Sequence, residues 1–228
     1  MKPYIIGTSH ISKDSIEEIK TAIESKKPDI IAVELDRERA TALFSEEAKT
    51  KMSFSEIFKI GLKGYLFAKV GQVVQRKLGQ YVGSAPGSEM KTAIEEAKKR
   101  NLKVALIDQP IRITLKNFSK ELTWKEKFHF IGDIFKGILF RKKQMKELGI
   151  ENLDLNKVPG KELIKKMMGK LKKDYPNIYK TLVEDRNKYM VKKLVKLMRD
   201  NPEQKIVVVV GAGHQEGMEE LLLKVDVI

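Results

Sequence analysis

The chain has 228 residues, of which 42% are hydrophobic and 33% are charged, a composition typical of a folded globular protein. It contains no cysteine, which excludes disulfides, thiol nucleophiles and cysteine-ligated metal sites. There is no apolar run of about 18 residues, as a membrane span requires, and no signal-peptide pattern at the start. From these absences we expect a cytoplasmic protein.

The net charge of +14 comes from 45 basic and 31 acidic residues. Seven lysines and a single acidic residue lie between Lys157 and Lys173. A solvated helix face is the simplest interpretation of this cluster, and contact with an anionic membrane surface is an alternative. Nucleic acid is disfavoured as a partner, because the sequence has no recognition motif and few aromatic residues among its basic ones.

Four short apolar runs predict strands that are buried on both faces of a parallel sheet. They are Tyr4–Ile6, Ile30–Val33, Val104–Ile107 and Ile206–Val210. Helical patterns follow the first run, from about Lys13 to Ser25, and precede the third, from Glu89 to about Arg100. This β-α-β order favours parallel strands joined by right-handed crossovers.

Two longer helical segments, residues 45–85 and 119–200, are predicted to be insertions into the sheet core. The second ends with a long helix from Tyr179 to Arg199. Alternating polar and apolar residues from Ile111 to Lys116 are compatible with a short extended segment, and Val225–Ile228 predicts a further strand. We therefore expect residues 1–228 to form a single α/β domain, a mainly parallel sheet with helices on both faces.

The pattern Gly-x-x-His occurs twice, each time directly after a predicted strand. It ends at His10 after the first strand and at His214 after the last, with Gly7, Gly211 and Gly213 as turn residues. Sites of α/β folds lie at the carboxyl ends of parallel strands. We therefore expect the two histidines to meet at one edge of the sheet.

Carboxylates are predicted at the same edge. Glu34 follows the second strand, Asp108 follows the third, and Glu89 opens a helix after a glycine-containing loop. Two imidazoles with one or two carboxylates suit Zn, Mn, Co or Fe in the +2 state, and such a metal promotes hydrolysis. Alternatively, each group is a polar residue at a strand end whose hydrogen bonds are made with the backbone.

A series of longer motifs runs in order through nearly the whole chain. They are Gly7-Thr8-Ser9-His10-Ile11-Ser12, Val33-Glu34-Leu35-Asp36-Arg37-Glu38-Arg39, Pro86-Gly87-Ser88-Glu89-Met90, Leu106-Ile107-Asp108, Ile113-Thr114-Leu115, Glu184-Asp185-Arg186-Asn187 with Met190, and Val210-Gly211-Ala212-Gly213-His214. Together they resemble the TraB/PrgY/GumN family. The sequence departs from the family pattern at Gln109, where an arginine is expected.

That family is similar to the Tiki proteases and to erythromycin-esterase-like and ChaN-like folds, so the resemblance implies a divalent-metal hydrolase that cleaves peptide bonds. It implies His10, His214 and Glu89 as ligands of Mn, Co or Zn, and Glu34 and Arg186 as catalytic residues. Arg186 would stabilise developing charge. Which glutamate is the ligand and which the general base stays open, although a helix start favours Glu89 as ligand.

Four further residues, Arg37, Asp108, Arg112 and Asn187, are predicted to bind a peptide or protein substrate. The resemblance also implies pheromone shutdown and membrane association, since many family members continue into C-terminal transmembrane helices. The chain is then a short soluble member or the cytoplasmic domain of a membrane-anchored relative. Two rival interpretations are a non-catalytic regulatory module that binds a peptide or haem, and a membrane-surface scaffold. A homo-oligomer is compatible with all three.

Overall fold

Four parallel strands form one sheet in the computed structural model, which describes residues 2–8, 13–45, 87–123, 126 and 161–225. They are β1 (Tyr4–Thr8), β2 (Ile30–Val33), β3 (Lys103–Leu106) and β4 (Ile206–Gly211). Their order across the sheet is β1-β4-β2-β3, and every neighbouring pair is parallel. The predicted parallel sheet is confirmed.

Helices connect and cover these strands. Within the described residues they are α1 (Lys13–Lys26), α2 (Arg37–Phe44), α3 (Ser88–Lys99), α4 (Ile111–Glu121), α5 (Lys161–Asp174), α6 (Pro176–Tyr179), α7 (Asp185–Asp200) and α8 (Ala212–Leu223). A five-residue π-helix, Lys180–Glu184, joins α6 to α7. No helix in this part of the chain is both long and apolar enough to cross a bilayer.

The central strand β4 is buried on both faces, which explains its run of β-branched residues. Successive residues of a strand point to opposite faces. Val208 and Val210 belong to the core cluster that also contains Met190 and Leu194 of α7. Val207 and Val209 belong to the cluster formed with α1 and α3. Helices thus cover both faces, and the mixed α/β class is confirmed.

The direction of the helices brings several helix starts to one edge of the sheet. α3 ends just before β3 begins, and α7 ends just before β4 begins. Both helices therefore run opposite to the strands they precede, and their first turns lie at the carboxyl edge. α8 begins at that edge as well, because it follows β4 without a gap. Strand ends and helix starts together form the rim on which polar residues collect.

Two local predictions are wrong. Residues 111–116 are not extended, because they lie in α4, where the spacing of buried Thr114, Leu115 and Phe118 is helical. Gly7 is not a turn residue, since it lies inside β1 and pairs with Val210.

The long helix predicted from Tyr179 to Arg199 differs from the observed one at its start. The π-helix Lys180–Glu184 comes first, and the regular α-helix α7 begins only at Asp185.

Other predictions fall partly on residues outside the described ranges. All but the first residue of insertion 45–85, most of residues 119–160 and the end of the predicted strand at residues 226–228 lie there. The limits of the single domain and of its insertions therefore stay predictions. The last part of the second predicted insertion contains α7, which packs directly on the sheet.

Gly7 is required by the close approach of α8 to β1. A Cβ atom there would lie 2.5 Å from Oε1 of Gln215 and 3.0 Å from Cα of Ala212. We expect Gly7→Ala to lower the free energy of unfolding by about 1–3 kcal/mol, because backbone has to move. Urea denaturation measures this change.

The matched control is Gly169→Ala in α5, where an added Cβ would have nothing within 4 Å. Alanine there is expected to be neutral or to stabilise the helix by up to about 1 kcal/mol. Equal midpoints for Gly7→Ala and the parent chain would show that the approach of α8 is not tight.

Candidate functional site

Arg186 lies among buried carboxylates at the carboxyl edge of the sheet. Its Nε and Nη2 donate to the two carboxylate oxygens of Asp108, at 3.1 and 2.8 Å. Nη2 also donates to Oε1 of Glu34. The side chains of Glu34 and Asp108 are only 4% and 1% exposed. One guanidinium thus bridges the residues that follow β2 and β3.

Burial by itself disfavours the charge of Arg186, but the nearby carboxylates of Glu34 and Asp108 outweigh it and raise the pKa of Arg186 above its ordinary value. Arg186 is therefore a permanent cation in this site.

The π-helix before α7 contributes to the position of Arg186. Nη1 of Arg186 donates to the carbonyl oxygen of Leu182, which lies within the π-helix, at 3.2 Å. A π-turn widens the helix and changes the direction in which later side chains leave it, and such turns are frequent at functional sites. With Nε, Nη1 and Nη2 all bonded, the guanidinium is fixed from three sides.

A second guanidinium, that of Arg39, completes the cluster. Its Nη2 bonds to Oδ2 of Asp108, and its Nε lies 2.9 Å from Oδ2 of Asp36. Asp36 is the N-cap of α2, accepting the backbone N–H groups of Glu38 and Arg39 at 2.8 and 3.0 Å. It also accepts the N–H of Ile111 at 3.3 Å, so it ties the start of α4 to the start of α2.

His214 lies in the first turn of α8, beside Glu34. Its Nε2 is 3.4 Å from Oε1 of Glu34, and its Nδ1 is 2.6 Å from Oδ1 of Asn187. An amide oxygen only accepts hydrogen bonds, so this contact places a hydrogen on Nδ1. In the neutral ring the lone pair of Nε2 is then directed towards Glu34.

Backbone groups fix the partners of His214. The N–H of Gly211 donates to Oε2 of Glu34 at 2.6 Å. A Cβ at Gly217 would clash with Nδ2 of Asn187, so the absence of a side chain at this position of α8 leaves space for that amide. Sequence reasoning missed Gly217, Asp36 and Arg39. The signal for Asp36 was its position directly before a helix, where aspartate is a preferred cap.

The predicted metal ligands are only partly placed. His214 lies beside Glu34, which was predicted to be catalytic, whereas His10 lies outside the described residues. Glu89 is 1% exposed in the first turn of α3, at the carboxyl edge, after Gly87 with its positive φ of 83°. Among the residues that the structure describes, no group of three or more His, Asp and Glu side chains has the arrangement of a metal site.

The predicted substrate-binding residues divide into two kinds. Asp108 and Asn187 are buried and bonded inside the cluster, to the two guanidiniums and to His214. Arg37 and Arg112 are exposed on the outside, where Nε of Arg112 lies 3.0 Å from Oε1 of Glu38. Only the exposed pair is accessible to a substrate directly.

The predicted glycine turn after β4 is a direct junction of strand and helix. Gly211 is the last residue of β4, and Gly213 is the second residue of α8. Gln109, where the motif resemblance led us to expect arginine, donates to Oγ1 of Thr114 at 2.8 Å. Asp108 receives its guanidinium partners from α2 and α7 instead.

A model of the TraB/PrgY/gumN family matches residues 2–225. The chain belongs to this family. It is 40% identical over 226 residues to an uncharacterised protein of Methanocaldococcus jannaschii, a match that covers 98% of this chain and 54% of that relative. It is 26% identical over 240 residues to the human TraB domain-containing protein and 27% identical over 240 residues to the mouse protein, which cover 95% of this chain and 61% of each relative.

The TraB-family membership inferred from the motifs is thereby confirmed. The chain spans 54% to 61% of the length of these curated relatives.

Asp108 is the shared partner of two guanidiniums, so its removal tests the cluster. We expect Asp108→Asn to lower the free energy of unfolding by about 3–5 kcal/mol, because Arg39 and Arg186 lose a buried counter-charge. The measurement is chemical denaturation at neutral pH.

Glu38→Gln is the control, since it removes a carboxylate from an ion pair whose partners are half-exposed. That change is expected to alter stability by at most about 1 kcal/mol. The cluster would be unimportant for folding if both variants unfolded at the midpoint of the parent chain.

Proposed function

We propose that this chain is a divalent-metal-dependent hydrolase that cleaves peptide bonds at the carboxyl edge of the sheet. The observation that supports it best is the 3.4 Å separation of Nε2 of His214 and Oε1 of Glu34. Two ligands that each lie about 2.1 Å from one tetrahedral cation are about 3.4 Å apart. These two side chains therefore fit a shared cation.

The surroundings of His214 agree with a ligand role. Histidine ligands usually donate their second ring N–H to a carbonyl or carboxylate oxygen, which orients the ring. Oδ1 of Asn187 has this relation to Nδ1 of His214. Asn187 is then a positioning residue rather than the substrate-binding residue expected from the sequence.

The charge of the cluster also favours a cation. Three buried carboxylates, those of Glu34, Asp36 and Asp108, face two guanidiniums, those of Arg39 and Arg186. The cluster has one more carboxylate than guanidinium, and a buried excess of negative charge is costly unless a cation neutralises it.

In this proposal His214, Glu34 and His10 would hold Mn, Co or Zn, which supplies an activated water and polarises the scissile carbonyl. Glu34 suits the ligand role, because Arg186 and the N–H of Gly211 hold its two carboxylate oxygens in place beside His214. Glu89, the other buried carboxylate proposed for this edge, is then assigned to accept the proton of the water. This reverses the roles that the sequence alone favoured for the two glutamates.

Arg186 is assigned a positioning role. Its Nε, Nη1 and Nη2 are bonded to Asp108, Leu182 and Glu34, and these bonds orient the carboxylate of Glu34. Stabilisation of the developing charge on the substrate therefore falls to the metal.

Contact with an anionic membrane is the weaker proposal for the lysine cluster. In α5, Lys165 pairs with Glu216, Lys170 with Asp174 and Lys172 with Glu184, at 2.9, 2.8 and 3.0 Å. These ion pairs reduce the charge that lipid headgroups would meet. Equal binding to neutral and anionic vesicles would remove this idea.

Calorimetric titration with Mn²⁺, Co²⁺ and Zn²⁺ tests the ligand assignment. His214→Ala and Glu34→Gln are expected to weaken binding of the preferred metal by at least about tenfold, because each removes a ligand. Glu89→Gln is expected to retain metal affinity while hydrolysis of a peptide library falls by about 10² to 10⁴, because an amide cannot accept the proton.

Glu95→Gln is the matched control, since it changes an exposed glutamate of the same helix, α3. Normal metal affinity in both His214→Ala and Glu34→Gln would contradict the site. Metal binding without turnover of any peptide by the parent chain would instead support the non-catalytic regulatory module.

A further inference from the structure

A groove of about 560 Å³ runs along α7, away from the candidate site. Apolar side chains of α7, of α8 and of the residue Val225 that follows α8 line one part of it, namely Val191, Val195, Leu221 and Val225. Four basic side chains of α7, Lys188, Lys192, Lys196 and Arg199, line the rest together with the carboxylate of Asp200. The groove thus combines an apolar wall with a basic wall.

The basic wall is a single stripe on α7. Lys188, Lys192 and Lys196 follow one another at intervals of four residues, and Arg199 continues the same face one turn later. The ammonium of Lys196 lies 3.4 Å from the carboxylate of Asp200. In the described part of the chain, Lys188, Lys192 and Arg199 make no ion pair.

This stripe is unfavourable for the isolated helix. Like charges four residues apart repel each other on a helix surface, and within the described residues Lys196 is the one lysine of the three that is paired with a carboxylate. An arrangement that costs stability in the free protein is typical of a surface that serves binding.

We propose that the groove docks an amphipathic, acidic helix of a partner protein. Carboxylates on one face of that helix would meet the stripe on α7, and apolar side chains on its other face would contact Leu221 and Val225. From Lys188 to Arg199 the stripe is about 16 Å long, which corresponds to three turns of a docked helix. This interaction uses no residue of the proposed metal site and does not depend on hydrolysis.

The shape and lining of the groove favour this occupant over other polyanions. A planar bilayer meets exposed charges but does not enter the recess between α7 and α8 where the apolar side chains lie. Single-stranded nucleic acid is normally bound through aromatic side chains that stack on bases, and the groove lining contains none. An amphipathic helix matches both walls at once.

The test uses the full chain and a fluorescein-labelled peptide of 14 residues, with glutamates at intervals of three and four residues and leucines on the adjoining face. Fluorescence anisotropy is expected to show saturable binding that weakens as salt is added. A scrambled peptide of the same composition, which has no separate acidic and apolar faces, is expected to bind at least about tenfold more weakly.

Lys192→Glu is the decisive variant, because it reverses a charge at the middle of the stripe on an exposed position. We expect it to weaken peptide binding by at least about tenfold while the melting temperature stays equal or rises, since the new glutamate lies between Lys188 and Lys196. Lys166→Glu in α5 makes the same change of net charge elsewhere and is expected to leave binding within about twofold.

Three outcomes would overturn the docking proposal. They are equal affinity for the ordered and scrambled peptides, equal loss in Lys192→Glu and Lys166→Glu, and no binding of the ordered peptide. A preference for anionic vesicles or for single-stranded DNA that disappears in Lys192→Glu would also reject the helix as occupant and assign the stripe to lipid or to nucleic acid.

Discussion

The carboxyl edge of this sheet depends on one guanidinium that bridges two buried carboxylates. Glu34 and Asp108 follow neighbouring strands, and the backbone N–H of Asp108 donates to the carbonyl of Leu35 at 3.2 Å. Without Arg186 the two carboxylates would lie close together in a medium where like charges repel strongly. The cation of Arg186 lies between them and offsets this repulsion, and Glu34 also faces His214 and the N–H of Gly211.

The site and the fold therefore form together. Arg186 is 152 residues from Glu34 and 78 from Asp108, and Gly211 is 177 residues from Glu34. These contacts exist only when β2, β3, β4 and the start of α7 are assembled, because no two of these elements are neighbours in sequence except α7 and β4. The match to the family model over residues 2–225 is compatible with a site built from the sheet itself. The relatives from M. jannaschii, human and mouse are longer proteins, of which this chain covers 54% to 61%.

The sequence predicted the sheet well because its central strands are buried on both faces and so consist of short apolar runs, as in Ile30–Val33 and Ile206–Val210. It failed where tertiary contacts decide. The approach of Ala212 and Gln215, not a turn, explains Gly7, and six alternating residues at the start of α4 were too few to distinguish a helix from a strand. The π-helix and the second guanidinium, Arg39, depend on contacts that no local pattern reveals.

At the edge organised by Arg186, we propose that Nε2 of His214 binds a shared cation while Nδ1 remains bonded to Asn187. Nitrogen-15 NMR of the histidine rings measures this directly, and the chain has only three histidines to assign. In the metal-free protein we expect a hydrogen on Nδ1 of His214, bonded to Asn187, and on addition of Zn²⁺ we expect a change at Nε2 alone. An Nδ1 without a hydrogen, or a His214 spectrum that stays unchanged in a saturating excess of Zn²⁺, would contradict this assignment.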